Sequence, residues 1–124
     1  MNKVELSWND VEQYIEKLQI KYEDQNISGV YGVPRGVLVL AVIISHRLQI
    51  PLLTAPTKDC LIVDDICDSG ESLLHYVKNS SAVNKPLYHI STMIYKENNL
   101  VIPEYYWGLK EDKWIVFPWE NKNE

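Results

Sequence analysis

Apolar positions along the chain fall into blocks whose period changes from one block to the next. Trp8, Val11, Tyr14, Ile15, Leu18 and Tyr22 recur every three or four residues, which predicts an amphipathic helix ending near Tyr22. The preceding Ser7-Trp8-Asn9-Asp10 has the form of a capping box, with the Ser7 hydroxyl and the Asp10 carboxylate satisfying orphan N–H groups. Ile27 to Tyr31 predicts a short strand running into the turn Gly32-Val33-Pro34-Arg35-Gly36. Val37 to Leu48 is apolar nearly all round, as a buried helix is. Pro51 to Asp59 reads as a short connection with a weak strand at its start. Leu61-Ile62-Val63, closed by two aspartates, predicts a central strand covered on both faces. A helix over Gly70 to Asn79 and a strand over Leu87 to Tyr95 follow. The remainder is aromatic-rich and contains the strand-like Trp114-Ile115-Val116-Phe117.

Strands alternating with helices imply an α/β fold with a mostly parallel central sheet flanked by helices. With 124 residues, no repeat and no linker-like stretch, a single domain over residues 1–124 is expected. Ligands of such sheets bind beyond the carboxyl ends of the strands. Both polar clusters, Gly32 to Gly36 and Asp64 to Ser72, fall at that edge.

Charge narrows the partners. A net charge of −5 argues against general nucleic-acid binding, which needs clustered Lys and Arg. An anionic small ligand remains open, because main-chain N–H groups and a metal ion can hold a phosphate. The longest apolar run, Val37 to Ile44, is far short of the roughly 20 residues that span a bilayer. The opening Met-Asn-Lys-Val-Glu-Leu has no apolar core and no cleavage pattern, so a cytoplasmic protein is expected. Cys60 and Cys67 make no CxxC pair and read as apolar filler in a reducing compartment. His46, His75 and His89 have no metal-ligand spacing and read as surface or helix-face residues.

The densest chemistry lies in Leu61-Ile62-Val63-Asp64-Asp65-Ile66-Cys67-Asp68-Ser69-Gly70-Glu71-Ser72. An apolar strand delivers two adjacent carboxylates to the sheet edge, and Asp68 adds a third. Ser69, Gly70 and Ser72 then open a helix whose free N–H groups suit a phosphate. Carboxylates beside a phosphate cradle fit one phosphorylated sugar, held by its hydroxyls and by its phosphate. Asp64 and Asp65 are crowded like charges that resist joint ionisation unless hydroxyls, a cation or N–H groups relieve them.

This run resembles the binding motif for 5-phosphoribosyl-1-pyrophosphate (PRPP) of the type I phosphoribosyltransferases: an apolar strand, two acids, two residues, Asp-Thr-Gly and a hydroxyl residue. The resemblance implies that fold, with a small C-terminal hood over residues 96–124. It implies that Asp64 and Asp65 hold the ribose hydroxyls. Ser69, Gly70, Glu71 and Ser72 wrap the 5′-phosphate, with Glu71 contributing its N–H while its side chain points to solvent. Asp68 is the general base near the purine. Ser stands at 69 and 72 where the family more often has Thr, which keeps the hydroxyl. Arg35 followed by Gly36 resembles the pyrophosphate loop, and Mg²⁺ is implied as bridging pyrophosphate and ribose oxygens, with Asp64 and Asp65 as direct or water-mediated partners.

The hood resembles that of the xanthine-guanine and hypoxanthine enzymes. By that resemblance Lys96 donates to the 6-oxo group, Trp114 stacks on the purine and Ile115 contacts it through its backbone, while Phe117 and Trp119 are packing. The expected function is transfer of ribose 5-phosphate from PRPP to a 6-oxopurine in purine salvage, by a homodimer or homotetramer. The chain departs from the family in one place: Leu53 to Cys60 is too short for the long mobile loop that shields the reaction from water. The alternative is a non-catalytic PRPP- or nucleotide-binding regulatory module on the same scaffold.

Overall fold

The computed structural model describes residues 3–33, 37–67, 73–76, 88–97, 101–109 and 113–120. Its elements run β1 (Lys3–Glu5), α1 (Trp8–Tyr22), β2 (Val30–Gly32), α2 (Leu38–Leu48), β3 (Leu61–Cys67), β4 (His89–Tyr95), β5 (Tyr105–Leu109) and β6 (Trp114–Val116). Residues 73–76 are helical and fall within the helix expected over Gly70 to Asn79, whose other residues lie outside the described ones. The central sheet has the order β2-β3-β4-β5, and each neighbouring pair is parallel. All four carboxyl ends therefore share one edge. β1 and β6 form a separate parallel pair, with Lys3 beside Trp114 and Glu5 beside Val116.

α1 has the expected bounds for the expected reasons. Asp10 N–H donates to Ser7 Oγ at 3.1 Å and Ser7 N–H donates to Asp10 Oδ2 at 2.8 Å, completing the capping box. Its buried residues, Val11, Tyr14, Ile15, Leu18 and Tyr22, are the ones the periodicity selects. They meet Leu40, Ala41 and Ile44 of α2 and Leu61 and Val63 of β3 in the first core. A second core on the opposite face of the sheet holds Ile62, Cys67, Leu73, Ile90 and Tyr95. Both cysteines are buried and free of disulfides, as apolar filler is. Gly32 makes the α2–β2 contact possible, because a Cβ there would lie 2.9 Å from the Ala41 Cβ.

Four sequence-based expectations need correction. α2 is not buried all round: Leu38, Val39 and Val42 are exposed, Leu38 by 61%. β3 does not stop at Val63 but carries both aspartates and runs to Cys67, because main-chain ladder bonds to β4 are indifferent to side-chain charge. β1 and β5 were not anticipated. His89 is not a plain surface residue, since it opens β4 and its Nδ1 lies 3.0 Å from Glu104 Oε1. The weak strand after Pro51 is a single bridge, Leu52 beside Val30. Around it the short connection is tied down: Val30 N–H donates to Pro51 O (2.9 Å), Leu53 N–H to Val30 O (2.8 Å), and Ser28 Oγ to Lys58 O (2.8 Å). A segment bonded in this way is an edge of the sheet rather than a lid.

Candidate active site

Side chains on a regular strand alternate between faces. In β3, Leu61 and Val63 belong to the first core and Ile62 to the second. Continued alternation would send Ile66 to the second core and Cys67 to the first. The reverse occurs: Ile66 packs on the first core and Cys67 lies in the second. β4 shifts at the same level. Met93 and Ile94, neighbours in sequence, both face the first core, and Tyr95 then faces the second. The pairing register stays constant through the shift, from Leu61 beside His89 to Cys67 beside Tyr95. Three side chains hold main-chain groups at this level. Asp65 N–H donates to Asp64 Oδ1 (2.9 Å), Ile66 N–H donates to Asp65 Oδ1 (2.7 Å), and Thr92 Oγ1 donates to Ile94 O (2.9 Å).

The consequence falls on the aspartates. Strict alternation would point them to opposite faces, yet Asp64 Oδ1 accepts Asp65 N–H at 2.9 Å and each carboxyl perturbs the other. Burial, the hydrogen bond to Asp65 and the charge of Asp65 push the Asp64 carboxyl up to about 8. Burial also raises Asp65, with the charge of Glu120 adding to it, while hydrogen bonds from Asp64 and from Ile66 N–H pull the other way. Two crowded acids, both raised by burial, thus sit in the carboxyl half of a central strand. That is the arrangement in which sugar hydroxyls or a cation gain most by arriving.

The hood closes over the first-core side of the sheet. Ile115, Phe117 and Trp119 pack on that core, and Phe117 stacks on Trp119 with centroids 5.1 Å apart, the packing role expected of both. Glu120 locks the last turn by accepting Phe117 N–H at 2.9 Å, and its charge reaches Asp65. Trp114 is 55% exposed, so its ring is not committed to the core. A cavity of about 390 Å³ opens where Val4, Leu6 and Asp10 near the start of the chain meet Ile94, Gly108 and Ile115, and none of Asp64, Asp65, Lys96 and Trp114 lines it. Lys96 follows β4, is exposed, and extends the ladder by donating its N–H to Cys67 O at 2.8 Å.

Of the site residues expected from sequence, Asp64 and Asp65 are in mutual contact and Lys96 stands at the same sheet edge. Trp114 and Ile115 belong to the neighbouring hood strand. Arg35, Gly36, Asp68, Ser69, Gly70, Glu71 and Ser72 lie outside the described residues. Two neighbours of the site, Thr92 and Glu120, were not singled out. Glu120 closes the hood stretch Trp114-Ile115-Val116-Phe117-Pro118-Trp119-Glu120 as its one acid, whereas an isolated Thr in a strand carries no signal. Among the described residues no group of His, Cys, Asp and Glu has the form of a metal site, and no helix is long and apolar enough to cross a membrane.

No family model and no curated protein matches the chain. Solved structures do. A Helicobacter pylori xanthine-guanine-hypoxanthine phosphoribosyltransferase is 18% identical, with a TM-score of 0.75 over 96% of this chain and 94% of that one. A Neisseria gonorrhoeae protein with bound ppGpp is 17% identical, with a TM-score of 0.71 over 98% of this chain and 91% of that one. At these identities the likeness is one of fold. The purine phosphoribosyltransferase of Pyrococcus horikoshii goes further, being 32% identical over 98% of this chain and 96% of its own, with a TM-score of 0.81. Full-length similarity at that level, on the fold that the acidic motif of β3 implies, makes the chain a member of the purine phosphoribosyltransferases, and an enzyme that transfers a phosphoribosyl group.

Proposed function

We propose that the enzyme transfers ribose 5-phosphate from PRPP to a 6-oxopurine, giving a purine nucleoside monophosphate and pyrophosphate. The observation that carries this reading is the pair Asp64 and Asp65 in the carboxyl half of β3, with Asp64 Oδ1 accepting Asp65 N–H and both carboxyls raised by burial. Two acceptors so placed match adjacent hydroxyls on a ribose ring. Ser69, Gly70, Glu71 and Ser72 hold the 5′-phosphate through N–H groups and hydroxyls, and Arg35 with Gly36 N–H holds the pyrophosphate. The purine lies between hood and sheet, with Trp114 on its face, Ile115 main chain at its edge and Lys96 donating to the 6-oxo oxygen.

In the reaction a ring nitrogen of the purine forms a bond to C1′ of the ribose. The C1′–O bond to pyrophosphate breaks, and its electron pair leaves with the pyrophosphate. The proton released from the purine passes to the Asp68 carboxylate, so Asp68 is the general base. Asp64 and Asp65 would hold Mg²⁺, directly or through ribose and water, and the ion would supply positive charge against the pyrophosphate. The enzyme acts in the cytoplasm, in purine salvage, as a homodimer or homotetramer.

The test mixes the protein with PRPP, Mg²⁺ and hypoxanthine, guanine or xanthine in turn, and measures nucleotide and pyrophosphate. Binding of PRPP without product from any base overturns the reading. Asp68→Asn is expected to abolish most turnover while PRPP binding survives, and equal loss of both contradicts a base role. A regulatory nucleotide in the same cleft is the second reading, favoured by the ppGpp-bound Neisseria gonorrhoeae protein of this fold. Binding of ppGpp in competition with PRPP, without turnover of any base, supports it.

A further inference from the structure

The facing shift in β4 has a consequence for the residue that follows it. Up to Met93 the strand alternates regularly: Ile90 faces the second core, Ser91 lies in the first-core face where its Oγ meets Tyr14 at 2.7 Å, and Met93 is again in the first core. Regular alternation would then place Ile94 and Lys96 on the second-core face, away from the hood. Instead Ile94 turns to the first core and lines the cavity beneath the hood beside Ile115. Its δ-methyl lies over Gly108, where even a single added Cβ would stand 3.2 Å from it. Tyr95 takes the second core, and alternation continued from there would put Lys96, whose N–H bonds to Cys67 O, on the hood side.

One side chain in β4 spans the shift. Thr92 is fully buried, and its hydroxyl donates to Ile94 O at 2.9 Å, across the residue where the facing changes. A buried carbonyl without a donor is costly, and an intrastrand bond of this kind competes with regular strand geometry. Thr92 also pairs in register with Asp64, so the shift in β4 is aligned with the one that brings the two aspartates together.

We infer that Thr92 is a positioning residue: its hydroxyl holds the facing shift of β4 and so turns Lys96 toward the hood, where the base is read. The geometric half stands on the contacts above, and the link to base recognition rests on the reading of Lys96 given under Proposed function. Thr92 touches no substrate. It acts through the main chain of residues 93–95, and its effect is therefore on the base more than on PRPP.

Three variants of the full chain test this. Thr92→Val keeps shape and removes the hydroxyl, Thr92→Ser keeps the hydroxyl, and Lys96→Met removes the ammonium. Two readouts are used: the nuclear Overhauser contact between the Ile94 δ-methyl and the Gly108 α-protons, and KM for purine and for PRPP. Thr92→Val is expected to lose the Ile94–Gly108 contact and to raise KM for the purine about tenfold or more, the loss expected for a hydrogen bond from a charged donor. Its KM for PRPP should stay within about twofold, because the acid pair bonds its own strand. Thr92→Ser should restore both readouts. A folded Thr92→Val protein that keeps the contact overturns the proposal, whatever its kinetics. If the contact is lost but purine KM is unchanged in both Thr92→Val and Lys96→Met, the base-reading role of Lys96 falls while the positioning role stands. Should Thr92→Val not fold, Thr92→Ala carries the same contrast with less bulk.

Discussion

The two ends of the central sheet treat their acids in opposite ways. At the amino end, Glu104 is well provided for: Oε1 accepts the Tyr22 hydroxyl at 2.9 Å and lies 3.0 Å from His89 Nδ1, with the Tyr22 and His89 rings edge to face. These contacts tie α1, β4 and the entry to β5 together. At the carboxyl end, Asp64 and Asp65 have each other and the N–H groups of their own strand, and Glu120 adds a like charge. One acid is placed for the apoprotein, while the other two are crowded against each other and raised by burial, which hydroxyls or a cation would relieve. Strain of this kind, kept at one edge of a well-packed sheet, is the physical mark of a binding site.

The largest effect that separates the two ends is on PRPP. On the proposed reading, replacing both carboxyls, Asp64→Asn with Asp65→Asn, removes the two acidic acceptors for ribose hydroxyls. At about 1.5 kcal/mol or more per charge-assisted bond, PRPP affinity in the presence of Mg²⁺ should fall at least about 100-fold, and turnover with it. Glu104→Gln should leave both within about twofold and lower the stability of the apoprotein by about 1 kcal/mol. Titration calorimetry with PRPP and urea denaturation measure the two. A Glu104→Gln protein with normal stability and impaired turnover would reverse the assignment of the ends.

The same contrast explains what could be read from the chain alone. α1 was legible because one helical stripe must be buried and because Ser7 and Asp10 cap it. The extent of α2 was legible as well, but its exposure was not, since apolar residues such as Leu38 and Val42 also occur on surfaces. β1 is three residues, too short to show a period, whereas β6, no longer, was legible in the run Trp114-Ile115-Val116-Phe117. The chemistry of the carboxyl end was visible as Asp64, Asp65 and the residues after them. Their convergence was not, because it depends on two strands changing face at one level. A run of seven residues mixing apolar and acidic side chains does not reveal a break in a two-residue period. The pairing of Glu104 with Tyr22 and His89 was hidden for a simpler reason, as 82 residues separate Glu104 from Tyr22 in sequence.

A smaller effect is on the pH dependence of stability. Burial and Asp65 raise Asp64 from 3.8 to about 8, so the folded state holds a proton that the unfolded chain releases near pH 4. Stability contributed by that proton is complete below pH 4 and is lost as pH rises toward about 8. Between pH 5 and pH 8 the apoprotein should lose on the order of 1 to 3 kcal/mol through this pair, less than an isolated shift implies because solvent reaches it. In Asp64→Asn an amide can still donate to Asp65, and the slope should shrink, leaving the variant more stable than the parent at pH 8. Urea midpoints of the two proteins at pH 5 and pH 8 give the difference directly. Equal slopes would mean that the acids are already satisfied in the apoprotein, and the contrast between the two ends would fail.

The smallest effect lies midway between the ends, where two stacked tyrosines 5.5 Å apart differ only in what their hydroxyls reach. Ser91 Oγ donates to Tyr105 O at 2.8 Å, so its one proton is committed, and the Tyr14 hydroxyl 2.7 Å away must be the donor to Ser91. Tyr14→Phe removes that donor and should cost about 1 kcal/mol. Among the described residues the buried Tyr105 hydroxyl has no hydrogen-bond partner, so Tyr105→Phe removes an unsatisfied group. It should leave stability unchanged or raise it by up to about 1 kcal/mol, with turnover unaffected. Thermal or urea denaturation of the two variants decides the matter. A Tyr105→Phe protein destabilised as much as Tyr14→Phe would show that an internal water satisfies the Tyr105 hydroxyl, so that the middle of the sheet holds no unsatisfied hydroxyl at this stack.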